Sequence, residues 1–94
     1  MSEENKYTYP IDTEYWTTEE IVDVIHFYEQ VEKAYEQGLK REDLMTAYSR
    51  FKEIVPSKSE EKKLGKQLEE SSGYSLYKAV KEAQKQSDGE QVKL

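Results

Sequence analysis

Apolar residues recur along this chain with a helical rhythm, interrupted at a few well-marked breaks. Ile21, Val24, Ile25, Phe27, Tyr28, Val31, Ala34 and Tyr35 share one wide face at about 100° per residue, the signature of an amphipathic helix with a broad buried side. Thr17 stands where an N-cap belongs and Glu20 follows three residues on, the spacing of a capping box. Trp16 and Ile21 flank that cap as a hydrophobic staple would, and Gly38 supplies the left-handed stop, after which Leu39 can fold back on Ala34. This is expected to be the central helix.

A second stripe, Leu44, Ala47, Tyr48, Phe51, Ile54 and Val55, predicts a helix over about residues 41 to 55. It has no Ser, Thr, Asp or Asn at its start, only Glu42 and Asp43 to favour the helix dipole. Pro56 ends it, because the residue before a proline is pushed out of helical geometry. Ser57 and Glu60 repeat the capping spacing and open a third helix to about residue 71, with only Leu64 and Leu68 on its apolar side. Gly65 lies beside them at a propensity cost of about 1 kcal/mol relative to alanine, tolerable where another helix approaches closely. Gly73 is the stop, with Tyr74 placed to cover Leu68. Ser75 then caps a short fourth helix whose inner face is Leu76, Ala79, Val80 and Ala83.

Ahead of the helices the rhythm is lost. Residues 1 to 8 read as a flexible lead, and Tyr7, Tyr9, Pro10, Ile11, Tyr15 and Trp16 form an aromatic segment without helical period. It is expected to run as an extended strap laying rings on the helices, with an exposed peptide-binding platform as the sharper alternative. Residues 87 to 94 read as a frayed, disordered tail. The expectation is therefore an all-α fold: a compact, irregular four-helix domain over residues 9 to 86 with an N-terminal aromatic strap and no internal repeat.

Composition narrows the function classes. The 94 residues hold no cysteine, so neither disulfides nor thiolate metal sites contribute, and the core must come from ordinary packing. No apolar run approaches the roughly 20 residues of a membrane span. The acidic start Met1-Ser2-Glu3-Glu4-Asn5-Lys6 lacks the pattern of a secretion signal, so cytoplasmic residence is expected. The net charge of −6 is uneven: residues 1 to 43 hold 12 acids and 4 bases, and residues 44 to 94 hold 8 acids and 10 bases. Overall acidity argues against non-specific nucleic-acid binding, which draws on neutralised phosphates.

Candidate chemistry is thin. The single histidine, His26, falls on the polar side of the first helix beside Asp23, Glu29 and Gln30, where a solvated surface residue is expected; with Glu29 it makes only two of the three or more protein ligands that a zinc site uses. Carboxylate pairs Glu19-Glu20, Glu60-Glu61 and Glu69-Glu70 lie at helix ends and polar faces, not where burial would raise a pKa. No phosphate-binding glycine loop, dinucleotide fingerprint or calcium loop is present. No enzyme and no cofactor is expected. Glu32 falls by helical phase within the apolar arc; either that margin is exposed or the carboxylate pairs with Arg50 or Lys52.

The one concentration of positive charge is Arg50, Lys52, Lys58, Lys62, Lys63 and Lys66, around the start of the third helix, with Glu53, Glu60 and Glu61 interspersed. It is the candidate anion- or partner-binding segment, set against a plainly solvated face.

Several stretches occur together in order: Tyr9-Pro10-Ile11-Asp12, Trp16 to Ile21, Val31 to Tyr35, Arg50 to Lys62 and Ser72 to Val80. With these the chain resembles the YktA-like uncharacterised protein family of Gram-positive bacteria over about residues 7 to 85. Three residues, Thr13, Glu14 and Tyr15, separate the aspartate from the tryptophan where the family usually has two. The resemblance implies a small all-helical cytoplasmic protein and carries over no catalytic residue. Two roles stay open: a non-enzymatic module binding a protein partner or itself, and binding of RNA or a phosphorylated ligand at the segment from Arg50 to Lys66.

Overall fold

A computed structural model describes residues 9–94. The expected lead over residues 1 to 8, and Tyr7 of the aromatic segment, lie outside the described residues. Four helices follow one another: α1 (Thr18–Glu36), α2 (Arg41–Ile54), α3 (Lys58–Ser72) and α4 (Leu76–Lys85). A small antiparallel ribbon joins β1 (Leu39–Lys40) to β2 (Gln91–Val92), with Leu39 opposite Val92 and Lys40 opposite Gln91. The fold is all-α, as the periodicity predicts.

Local chemistry sets the helix ends. At α1 the capping box is complete: Thr17 Oγ1 accepts from Glu20 N at 3.1 Å and Thr17 N donates to Glu20 Oε1 at 2.9 Å. At α3 only the first half forms, Ser57 Oγ accepting from Glu60 N at 3.3 Å. Lys40 leads into α2 without a side-chain cap, as its sequence predicts, and Ser75 Oγ accepts from Lys78 N at α4. Gly73 ends α3 with φ of 83°, a left-handed conformation that a Cβ would strain.

The core is centred on α1 and α2, with α4 packed chiefly against α2. Phe27 and Phe51 stack with ring centroids 4.7 Å apart, and Tyr28 and Tyr48 close around them. Phe27, Tyr28 and Phe51 are fully buried; each apolar ring of this kind contributes about 1.5–3 kcal/mol of transfer free energy. The strap follows the expected course in part. Tyr9 packs its ring on Tyr28 at 5.6 Å, and the Tyr28 hydroxyl donates to Pro10 O at 2.9 Å. Trp16 also packs against the core, whereas Tyr15 is 80% exposed. Asp12 Oδ1 accepts from Glu14 N and Tyr15 N, so the residues between Asp12 and Trp16 form a local turn.

The chain end departs from expectation. Residues 87 to 94 do not fray; Val92 is fully buried in the core opposite Leu39, and Leu94 N donates to Ala34 O at 2.9 Å. Arg41 binds Asp88 at 2.8 Å, while Gly89 N donates to Glu42 Oε1 at 2.9 Å and holds that carboxyl below its usual range. The folded unit therefore runs beyond residue 86 to the end of the chain. A single buried valine and the otherwise uncapped start of α2 account for this: Glu90 O of the tail accepts from Arg41 N at 2.9 Å, satisfying one N–H of the helix start.

Glu32 also takes neither expected course. It is half-buried, and its Oε1 accepts from the Tyr9 hydroxyl at 2.8 Å, not from Arg50 or Lys52. Its Oε2 is buried without a hydrogen-bond partner. Tyr74, placed by sequence over Leu68, stacks on Tyr35 at 4.6 Å and donates to Glu36 at 2.8 Å.

Candidate functional site

The six basic residues read as one segment divide into two groups. On α2, Arg50 pairs with Asp23 at 2.8 Å and Glu53 at 3.1 Å, and Lys52 pairs with Glu61 at 2.7 Å. The hydrogen bonds that Arg50 donates to Asp23 and Glu53 raise its pKa. These two cations hold α2 to its neighbours. On α3, by contrast, Lys58, Lys62, Lys63 and Lys66 are exposed, and among the described residues none has an ion-pair partner.

Lys58, Lys62 and Lys66 recur every fourth residue and so form one row along α3. That row is a wall of a groove of about 500 Å³ between α3 and α4; Lys63 is not among the lining residues. Tyr77 and Lys81 of α4 form the opposite wall, and Gly65, Leu76 and Val80 lie at the base. A Cβ on Gly65 would meet Leu76 Cδ2 and Cγ at 3.4 Å, so the glycine sits where the two helices come close, as its place in the sequence suggests. Lys81 Nζ stands 5.5 Å from the Tyr77 ring centroid, and Tyr77 is 66% exposed.

Two carboxylates line the groove, and they differ. Glu61 is saturated from the α2 side: Oε1 accepts from Lys52 and Oε2 from the Tyr48 hydroxyl at 2.8 Å. Burial first, and then that carboxylate, push the Tyr48 phenol up to about 12. Glu69 lies at the far end of the lysine row. Four lysines thus face the groove against one carboxylate already neutralised and one at the margin. Like charges four residues apart on a helix destabilise it by about 0.2–0.5 kcal/mol per pair, so the row opposes the stability of α3. A locally unfavourable arrangement of this kind is where function is sought.

A second cleft, about 470 Å³, lies between α1 and α2 and is lined by Asp23, His26, Gln30, Lys33, Asp43, Thr46, Ala47 and Arg50. Its strongest charges are spent on each other through Arg50 and Asp23, and His26 is exposed with only a 3.4 Å contact to Gln30. No group of three or more potential metal ligands occurs among the described residues. No helix among them is long and apolar enough to cross a membrane.

Sequence reasoning reached three of the groove lysines and missed Tyr48, Tyr77, Lys81 and the base. The available signal was modest: Tyr77 and Lys81 share a face of α4, and Gly65 marks an approach without saying to what.

Comparison with known proteins agrees with the resemblance drawn from sequence. The model of UPF0223, an uncharacterised protein family, matches residues 6–92. The UPF0223 protein YktA of Bacillus subtilis (strain 168) is 57% identical over 89 residues, covering 95% of this chain and 99% of that protein. A UPF0223 protein of Lysinibacillus sphaericus (strain C3-41) is 51% identical over 89 residues, covering 95% and 93% respectively. One from Oceanobacillus iheyensis is 55% identical over 82 residues, covering 87% and 92%.

Proposed function

This chain belongs to the UPF0223 family, and on that premise we propose that it is a non-enzymatic binding module that takes a protein partner in the α3–α4 groove. One observation carries the reading: three unpaired lysines in a row face an apolar base, while the basic residues on α2 are consumed by internal ion pairs. Unpaired cations beside apolar surface supply the two components of a protein interface, steering charge and buried area. An RNA site is the weaker reading. Glu69 ends the positive wall, Lys81 stands over the Tyr77 ring that a base would stack on, and the chain carries a net charge of −6. Cytoplasmic residence belongs to the same proposal.

The test is crosslinking capture in a host cell with the full chain, its K62E/K66E variant and its K63E variant, with proteins identified by mass spectrometry and RNA assayed in parallel. The reading predicts specific proteins lost with K62E/K66E and kept with K63E. Equal capture by all three, or lysine-dependent capture of RNA alone, contradicts it. Recovery of the chain in the membrane or medium fraction contradicts its cytoplasmic part.

A further inference from the structure

We infer that the occupant of the α3–α4 groove is an acidic amphipathic helix of the partner protein, an inference that rests on the protein-binding reading above. Three features of the groove define this occupant.

The first is charge. Lys58, Lys62 and Lys66 rise along α3 by about 6 Å per step, four residues at about 1.5 Å each. Carboxylates placed at i, i+4 and i+8 of a second helix rise by the same step, so one acidic row meets the whole basic row without either helix bending. Among the described residues no carboxylate already answers these three lysines. Glu61, the acid nearest in sequence, is bound on both oxygens by Lys52 and Tyr48.

The second is backbone accounting. Both walls are helices whose N–H and C=O groups are used internally, so the groove offers side chains and no strand edge. An extended segment laid there would find no backbone partners, whereas a helix satisfies its own. The third is the base. Gly65, Leu76 and Val80 present no polar side chain there and the exposed Tyr77 ring adjoins them, so the incoming helix meets this side with an apolar stripe at i, i+3 and i+4.

The arrangement also has a direction. The row runs from Lys58 near the start of α3, where the helix dipole adds positive potential, to Lys66, and Glu69 follows on the same groove. The partner's acids therefore lie against the first part of α3, and a neutral or basic residue lies against Glu69.

Fluorescence anisotropy of the full-length chain at low salt tests this with three labelled probe peptides. One is a helix former with glutamates at i, i+4 and i+8 and leucines on the adjoining stripe; one has the same composition broken by two prolines; one carries lysine for glutamate. A labelled single-stranded RNA is measured alongside. The inference predicts binding of the first peptide, weakened about tenfold by K62E/K66E and by the prolines, and little changed by K63E. No binding of the helical probe, or equal binding of the broken or basic peptide, overturns the helical occupant. If the protein capture described above still depends on Lys62 and Lys66, the binding-module reading survives that result. Tighter, lysine-dependent binding of the RNA overturns both. Circular dichroism of each variant separates lost binding from lost folding.

Discussion

Tyr48 shows how a single side chain couples the core to the groove. Its ring lies 5.6 Å from Phe27 while its hydroxyl reaches Glu61 on α3. Because the phenol is raised from 10.0 to about 12 in the fold, folding favours its protonated form. That contribution is complete below the unfolded value and disappears as pH rises through the folded one. Tyr48→Phe should therefore cost about 1 kcal/mol at neutral pH, from the lost hydrogen bond. The gap to the parent chain should narrow between pH 10 and about 12, read from urea midpoints across that range. A gap that stays constant would show that the hydroxyl is not held protonated. At this scale the sequence is readable where partners are local. Thr17 and Glu20 find each other across three residues, and both hydrogen bonds of the capping box form. Glu32 is not readable in that way, because the hydroxyl that binds it belongs to Tyr9, 23 residues away in a segment without periodicity.

Among the elements, α3 is the one that stability alone does not explain. It buries only Leu64 and Leu68, carries a glycine in its interior and lines up like charges on its exposed side. Lys62→Glu turns two repulsive pairs, with Lys58 and Lys66, into attractive ones, and should raise unfolding free energy by about 1 kcal/mol in low salt. Chemical denaturation with and without added salt checks this, since the gain should shrink as salt screens the charges. A destabilised Lys62→Glu variant would mean that the row is satisfied in some other way. A substitution that strengthens the fold while removing binding is the expected mark of residues kept for a partner. Helix boundaries here are legible from Pro56, Ser57 and Gly73, each acting on its own neighbours. The groove is not, because it exists only once α4 lies beside α3. Reading Arg50 and Lys52 together with the α3 lysines follows sequence adjacency. In space their carboxylates arrive from Asp23 on α1, Glu53 on α2 and Glu61 on α3.

For the molecule as a whole, the chain end closes the structure. Val92 seals the core against Leu39, and Arg41 and Glu42 fasten residues 88 and 89 to the start of α2. One apolar residue among polar neighbours gives no periodic signal, which is why the segment reads as a tail until its register with β1 is known. Val92→Ala should lower stability by about 2 kcal/mol, and deletion of residues 91 to 94 by more, measured by thermal unfolding. No change in either variant would mean that the end is not part of the cooperative unit. In the same small protein a chain of net charge −6 keeps one groove, between α3 and α4, lined by four lysines. The most direct measurement of this account is amide chemical-shift mapping of the isotopically labelled full-length chain during titration with the acidic helical peptide. Shifts should gather at Lys62, Gly65, Lys66, Tyr77 and Lys81; shifts confined to the α1–α2 cleft around His26 and Arg50, or none at all, would contradict it.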